Sequence, residues 1–297
     1  MIDILKTLTN EKNISVNEPM SKHTTFKIGG NADYYVCPES QSELKEIIDT
    51  LKKHSLPYMV IGNGSNLLVS DKGIDGAVIS TEKITDITVS GKSIYASAGV
   101  KLSALASEAT KNSLSGLEFA AGIPGTVGGG VFMNAGAYDG EMKNIIEFVR
   151  VLRDGQIIDL TPDLCFFGYR TSVFQSTDDI ILGASFLLIP GDRDEITQKI
   201  YDLNSRRKLK QPLEYPSAGS AFKRPEGYFA GKLIDDSGLR GFSIGGAQVS
   251  EKHCGFIINK GGATASDVTE LIKFIKTSVY IRYGVKLQEE IRLIGRR

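Results

Sequence analysis

Apolar positions recur along this chain in two rhythms, one helical and one extended. In SQSELKEIIDTLKKHS, residues 40–55, Leu44, Ile47, Ile48 and Leu51 fall on one helical face, and Ser40 with Glu43 has the spacing of a capping box. YMVIG follows as a buried strand and runs into the turn GNGSN at 62–66. VRVLRDGQIIDL surrounds Asp154-Gly155 and predicts a hairpin with a tight turn. A second capping box, Asp192 and Glu195, opens an amphipathic helix through Ile196, Ile200 and Leu203. That helix gives way to the basic, proline-stopped SRRKLKQPLEYPSAG, which places a domain boundary near residues 204–212. Beyond it, DVTELIKFIKTSVYIRYG spaces Val268, Leu271, Ile272, Ile275 and Val279 for a helix stopped by Gly284. VKLQEEIRLIG closes as a short strand-like segment. With no internal repeat or low-complexity tract, the alternation predicts an α+β or mixed α/β protein.

Length and charge narrow the classes. At 297 residues the chain exceeds what one core comfortably supports, so more than one unit is expected. Lys plus Arg and Asp plus Glu each total 35, and no long basic run marks a nucleic-acid surface, which favours a small-molecule partner. Cys37, Cys165 and Cys254 are scattered without disulfide or metal spacing, so no metal site is expected and the compartment is reducing. No apolar run approaches the ~20 residues of a membrane span, and a cytoplasmic protein without membrane insertion is expected.

The candidate chemistry begins with glycine. GIPGTVGGGVFMNAG, residues 122–136, spends six of fifteen positions on it. Neither GxxxxGK[ST] nor GxGxxG occurs, which disfavours a P-loop or a standard dinucleotide-binding Rossmann unit. What remains is this stretch and GNGSN, two loops whose bare backbone N–H groups could cradle an anion. Asn63, Ser65 and Asn66 could add donors, and together the loops favour a diphosphate ligand. For either loop alone, tight turns and close packing are an equal explanation.

Six motifs, HTTFKIGG (23–30), IGNGSNLLVSD (61–71), GLEFAAGIPGTVGGGVFMNAGAYDGE (116–141), FGYRTSVF (167–174), PSAGSAFKRP (216–225) and YGVKLQEEIRLIG (283–295), resemble in order those of the UDP-N-acetylenolpyruvoylglucosamine reductase family. The resemblance implies the FAD-binding fold of the vanillyl-alcohol oxidase type, α+β in class. It implies FAD-binding sub-domains at 1–75 and 76–205 and a UDP-sugar domain at 206–297, with the last strand returning toward the active site. Non-covalent FAD is implied, since His23, His54 and His253 lie outside both glycine loops. Its pyrophosphate would meet Gly62, Asn63, Gly64, Ser65 and Asn66 on one side and Gly122, Ile123, Pro124, Gly125, Gly128, Gly129, Ala135 and Gly136 on the other.

The family's reaction, reduction of UDP-N-acetylglucosamine enolpyruvate to UDP-N-acetylmuramate with NADPH, implies three catalytic residues. Arg170 matches the arginine that stabilises the enolate, its planar fork suiting a carboxylate. Ser220 matches the proton donor, a poor acid that must act through placement. Glu290 matches the acid that assists at the enolate; alternation puts it opposite Glu289, and the following Ile291-Arg292 selects it. Without the resemblance, Ser220 reads equally as a turn residue beside Gly219. Tyr169, Lys223, Arg224, Arg240 and Lys252 are candidates for the UDP-sugar. Only 49 residues separate Arg170 from Ser220, too few for the tyrosine-bearing lid of one family branch, so Tyr215 or Tyr228 is the candidate cap. A monomer is expected. The alternative is an FAD-dependent oxidase or dehydrogenase of another alcohol or sugar, sharing the loops but not the catalytic set.

Overall fold

A computed structural model describes residues 1–297. The chain divides into two compact units, one made of residues 1–15, 34–63 and 77–207, the other of 16–33, 64–76 and 208–297.

The first unit is organised on a five-stranded antiparallel sheet, in the order Gln156–Leu160, Ile146–Arg153, Ile180–Leu187, Ser93–Ser97, Ile87–Ser90. The expected hairpin is present, with Asp154 and Gly155 both left-handed at φ 49° and 77°, as its two-residue turn demands. The helices Leu102–Lys111 and Val127–Phe132 contribute Leu102, Leu105, Val127 and Val131 to a core shared with Val149, Val151, Ala184 and Phe186 from the sheet. A second core forms where the helix Gln41–Lys53 buries Leu44, Ile47, Ile48 and Leu51, the predicted face, with Ala77 and Ile79. Its Ser40 cap accepts from Glu43 N, but Glu43 reaches back to Glu39 N, so the predicted box is closed one residue early. The parallel pairing of Tyr58–Ile61 with Ile74–Ser80 then delivers the chain to Gly62.

The helix Arg193–Lys210 differs from expectation. Asp192 caps it through the amides of Asp194 and Glu195, but only Ile196 is buried, and it runs through the expected boundary segment. Its polar composition suits a largely solvated helix, and it ends at Lys210, two residues before Pro212.

The second unit pairs Ser217–Ser220, Phe256–Asn259, Ala247–Val249 and Ser243–Ile244 antiparallel. The helix Ala265–Tyr283 lies on it, burying all five predicted apolar residues. Thr264 and Asp267 form a complete capping box, and Asp71 adds a second anion there, accepting from Ala265 N at 2.8 Å and Ser266 N at 2.9 Å. Gly284, at φ 68°, ends the helix. Past it the chain is irregular until Arg292–Ile294, which runs parallel to Leu67–Val69. Arg296 fastens this strand, donating to Asp33, Asp75 and the carbonyl of Lys72. No helix is long and apolar enough to cross a membrane.

Candidate active site

The two glycine stretches meet, and much of what needs the bare backbone is the protein itself. A Cβ on Gly62 would lie 2.2 Å from Thr126 Oγ1, and Asn63 Nδ2 donates to Pro124 O at 2.9 Å. A Cβ on Gly128 would sit 3.0 Å from that of Ala98, and one on Gly136 2.7 Å from Gly140 O. Several amides are already engaged: Ile123 N with Ala120 O, Gly125 N with Ile123 O, Gly128 N with Ala98 O, Ala135 N with Gly130 O. Gly129 N reaches only Thr126 Oγ1, at a long 3.5 Å. By contrast, no protein carbonyl accepts from the amides of Gly62 or Asn63, and none from Gly64 or Ser65. Gly64 itself is left-handed (φ 60°) with His23 O against its α-carbon. Consecutive backbone amides without a protein acceptor, as at 62–65, are the kind of donor set that suits an anion such as a diphosphate.

A cation that the sequence did not single out stands beside the second glycine stretch. Gly122 packs against Asn204 Oδ1 and Arg207 Nη1, where a Cβ would lie 2.5 and 2.8 Å away. Burial pulls the Arg207 pKa down, and Tyr138 opposes that shift. Tyr138 and Asp139 are both left-handed, at φ 51° and 67°, in the two-residue turn joining Gly136–Ala137 to Gly140–Glu141. The only sequence signal for Arg207 was its place in the basic run SRRKLK.

Arg170 has a strained backbone, φ 56°, in a turn closed by Gly168 N and Thr171 O. Its surroundings hold it there. Asn134 Nδ2 donates to Gly168 O at 2.9 Å, Gln175 Nε2 to Arg170 O at 3.1 Å, and Ser172 Oγ to Phe132 O at 2.7 Å. The guanidinium donates to Gly136 O at 2.9 Å and lies 5.3 Å from the ring centre of the half-exposed Tyr169. GYRTS is therefore seated on FMNAG, which brings Arg170 and Gly136 together.

Within the second unit, Ser220 and Glu290 are neighbours through the backbone. Ser220 ends its strand opposite Phe256, after Gly219 (φ 78°) breaks the register. Ala221 then donates to Gly255 O and accepts from Glu290 N, at 2.8 and 2.9 Å. Glu289 bridges Phe222 and is ion-paired with Lys276 Nζ at 2.6 Å. Glu290 is held by Asn66, whose Nδ2 donates to Glu290 O at 3.0 Å and whose own carbonyl accepts from Arg292 N at 2.9 Å.

The UDP candidates differ in availability. Arg240 is engaged by Asp235 and the carbonyl of Glu251, and Lys252 by Lys208 O and Glu214. Arg224 covers the Phe229 ring at 4.0 Å, whereas Lys223 is tied by its amide to Gln288 O and leaves its ammonium unengaged. Tyr215 is held by Lys260, 3.1 Å from its hydroxyl, while Tyr228 is exposed.

Residues 32–161 match the family described as FAD binding domain, and residues 211–294 match UDP-N-acetylenolpyruvoylglucosamine reductase, C-terminal domain. The UDP-N-acetylenolpyruvoylglucosamine reductase of Clostridium botulinum (strain Hall) is 52% identical over 97% of this chain and 94% of its own. The crystal structure of the Thermus caldophilus reductase of that name superposes with TM-score 0.81 at 36% identity, covering 94% of this chain and 97% of the other. A likeness to alkyldihydroxyacetonephosphate synthase, TM-score 0.51 at 14% identity over 64% of this chain and 40% of that one, shows shared fold alone.

Proposed function

The chain belongs to the UDP-N-acetylenolpyruvoylglucosamine reductase family, as an α+β FAD oxidoreductase, and we propose that Arg170, Ser220 and Glu290 carry its chemistry. The reaction is the reduction of UDP-N-acetylglucosamine enolpyruvate to UDP-N-acetylmuramate by NADPH, in peptidoglycan precursor synthesis. The observation that carries the residue assignment is Arg170 in a left-handed backbone conformation braced by Asn134 and Gln175. A surface arginine has no need of such a conformation; a cation that must be preorganised does.

FAD, when bound, would supply the two-electron chemistry that links NADPH oxidation to hydride addition at C3 of the enolpyruvyl ether. The electron pair left on C2 spreads into the adjacent carboxylate as an enolate. Arg170 opposes that charge with a guanidinium whose position is set before reaction. Ser220 gives its hydroxyl proton to C2, and solvent restores it. Glu290 is the third member of the set, its carboxyl assisting at the enolate oxygen.

For the cofactor, the amides at Gly62, Asn63, Gly64 and Ser65 are the donors to its diphosphate, with Arg207 as a neighbouring cation at Gly122. Non-covalent binding is supported by His23 being occupied by Glu18, at 3.0 Å. For the substrate, Lys223 is the best-placed cation of the expected set, having no competing partner. We keep the assignment of 1–75 and 76–205 to FAD and 206–297 to the UDP-sugar as a division by ligand, distinct from the division by packing. We place the enzyme in the cytoplasm as a monomer.

The test separates the half-reactions anaerobically. NADPH bleaches the oxidised flavin band, and the enolpyruvyl sugar restores it. In Ser220→Ala the bleaching keeps its rate while the recolouring slows by orders of magnitude. Recolouring at the wild-type rate would remove Ser220 from the mechanism.

A further inference from the structure

We propose that Asn66 is a positioning residue that couples the cofactor loop to Glu290; this rests on the reading of Glu290 as a catalytic residue and of 62–65 as the FAD loop, which Asn66 adjoins without contributing a donor. Asn66 was expected among the cofactor donors, but its carboxamide is turned to Glu290 O at 3.0 Å, and its carbonyl accepts from Arg292 N at 2.9 Å. These two bonds flank Glu290 and begin the parallel pairing of Leu67 with Arg292. The opposite side of the same residue is tied by Glu290 N to Ala221 O. Between Gly284 and Arg292 the chain forms no helix or ladder strand, only the bridge of Glu289 to Phe222. The backbone of Glu290 is thus held by Asn66 at its carbonyl and by Ala221 at its amide, outside any helix or ladder strand.

The coupling follows from chain continuity. Gly64 and Ser65, whose amides await an acceptor, directly precede Asn66, and left-handed Gly64 leaves little freedom to the turn. An anion that orders Gly64–Ser65 orders Asn66, and with it the two bonds that hold residues 290–292. The catalytic glutamate is then in register only when the cofactor loop is formed. Misplacement of a reacting group by about 1 Å costs on the order of a hundredfold in rate. Loss of one hydrogen bond that leaves Glu290 O unsatisfied is enough to permit such a shift.

The experiment uses Asn66→Ala and the isosteric Asn66→Asp, which cannot donate to a carbonyl, each as the FAD-loaded protein. FAD affinity is expected within about threefold of wild type for Asn66→Ala, and bleaching by NADPH within about twofold. Recolouring by the enolpyruvyl sugar is expected to slow about ten- to a hundredfold in both variants. Both half-reactions falling together with loss of FAD would assign Asn66 to the cofactor alone and overturn the proposal, as would unchanged recolouring. Glu290→Gln is the control: if it recolours normally, the catalytic reading of Glu290 fails, and the coupling is judged on exchange. That readout is amide hydrogen exchange of residues 287–294 in wild-type protein stripped of FAD and then reloaded. Protection of this segment on FAD addition, lost in Asn66→Ala, supports the coupling; equal exchange with and without FAD overturns it, even where a variant does not fold.

Discussion

Glu290 donates its backbone amide to the carbonyl of Ala221 at 2.9 Å, fixing the glutamate one residue away from Ser220 along the facing chain. The adjacent Glu289 is committed elsewhere, to Lys276 on the long helix. The two acids should therefore separate on substitution. Glu290→Gln is expected to slow flavin recolouring by two orders of magnitude or more, and Glu289→Gln by less than twofold. The cost of Glu289→Gln is in stability, about 1 kcal/mol or less for a half-exposed pair, measured by urea denaturation.

Arg170 offers the opposite dissociation. Glycine tolerates φ 56° without the ~1 kcal/mol that a side chain costs there, while the guanidinium bond to Gly136 O is lost. Arg170→Gly should hold its unfolding free energy within about 1 kcal/mol of wild type. Its recolouring rate should fall by at least about a hundredfold, on the scale of losing one preorganised donor. A large loss of stability would show that the arginine is held for the fold instead.

Gly62→Ala tests the meeting of the two glycine loops. The added methyl would lie 2.2 Å from Thr126 Oγ1, and overpacking of this kind costs about 1–3 kcal/mol. Lowered Tm and weakened FAD retention are expected. Thr126→Ala removes the obstructing oxygen, at about 1 kcal/mol for the lost helix cap. The double variant should nonetheless retain FAD better than Gly62→Ala alone.

His253 gives a pH dependence of stability. Its ring is largely buried, its Nδ1 accepts from Gly255 N at 3.1 Å, and burial, with Arg240 and Lys210 nearby, holds its pKa below the ordinary 6.5. The unfolded chain therefore takes up this proton at a higher pH than the folded one. The stabilisation is complete above about pH 6.5, falls as pH drops below it, and levels off below the folded pKa. Tm should decline between pH 7.5 and 5.5, and His253→Gln should flatten that slope.

Asp71 caps a helix from a distant part of the chain. Asp71→Ala removes the side-chain acceptor of the Ala265 and Ser266 amides, with an expected loss of about 1 kcal/mol in chemical denaturation. The NADPH half-reaction should be unchanged, since the substitution acts on the helix Ala265–Tyr283 alone.

Local physics made much of this readable in advance. The faces of the helices Gln41–Lys53 and Ala265–Tyr283, the Asp154-Gly155 turn and the Gly284 stop depend on residues a few positions apart. Arg170, Ser220 and Glu290 were singled out only by the resemblance of their motifs, and their roles remain the proposal made above. What stayed hidden depends on partners far apart in the chain. Asn66 looks like one more polar loop residue until Glu290, 224 residues on, is placed beside its carboxamide. Glycine composition alone cannot say whether a bare backbone faces a ligand or another strand; Gly62 against Thr126 and Gly128 against Ala98 show the second. Arg207 was indistinguishable from its basic neighbours because selection required knowing what lies against Gly122.

The parallel pairing of Leu67–Val69 with Arg292–Ile294 also bears on how the protein is born. A ribosome adding about 5–20 residues per second exposes Leu67–Val69 on the order of ten seconds or more before its partner strand exists. During that interval Leu68 and Val69, both buried in the finished fold, have no place to go. The nascent chain must therefore either fold the first unit around two unfinished segments or wait. Chaperone dependence during synthesis, absent on refolding of the full-length chain, is the expected signature of that order.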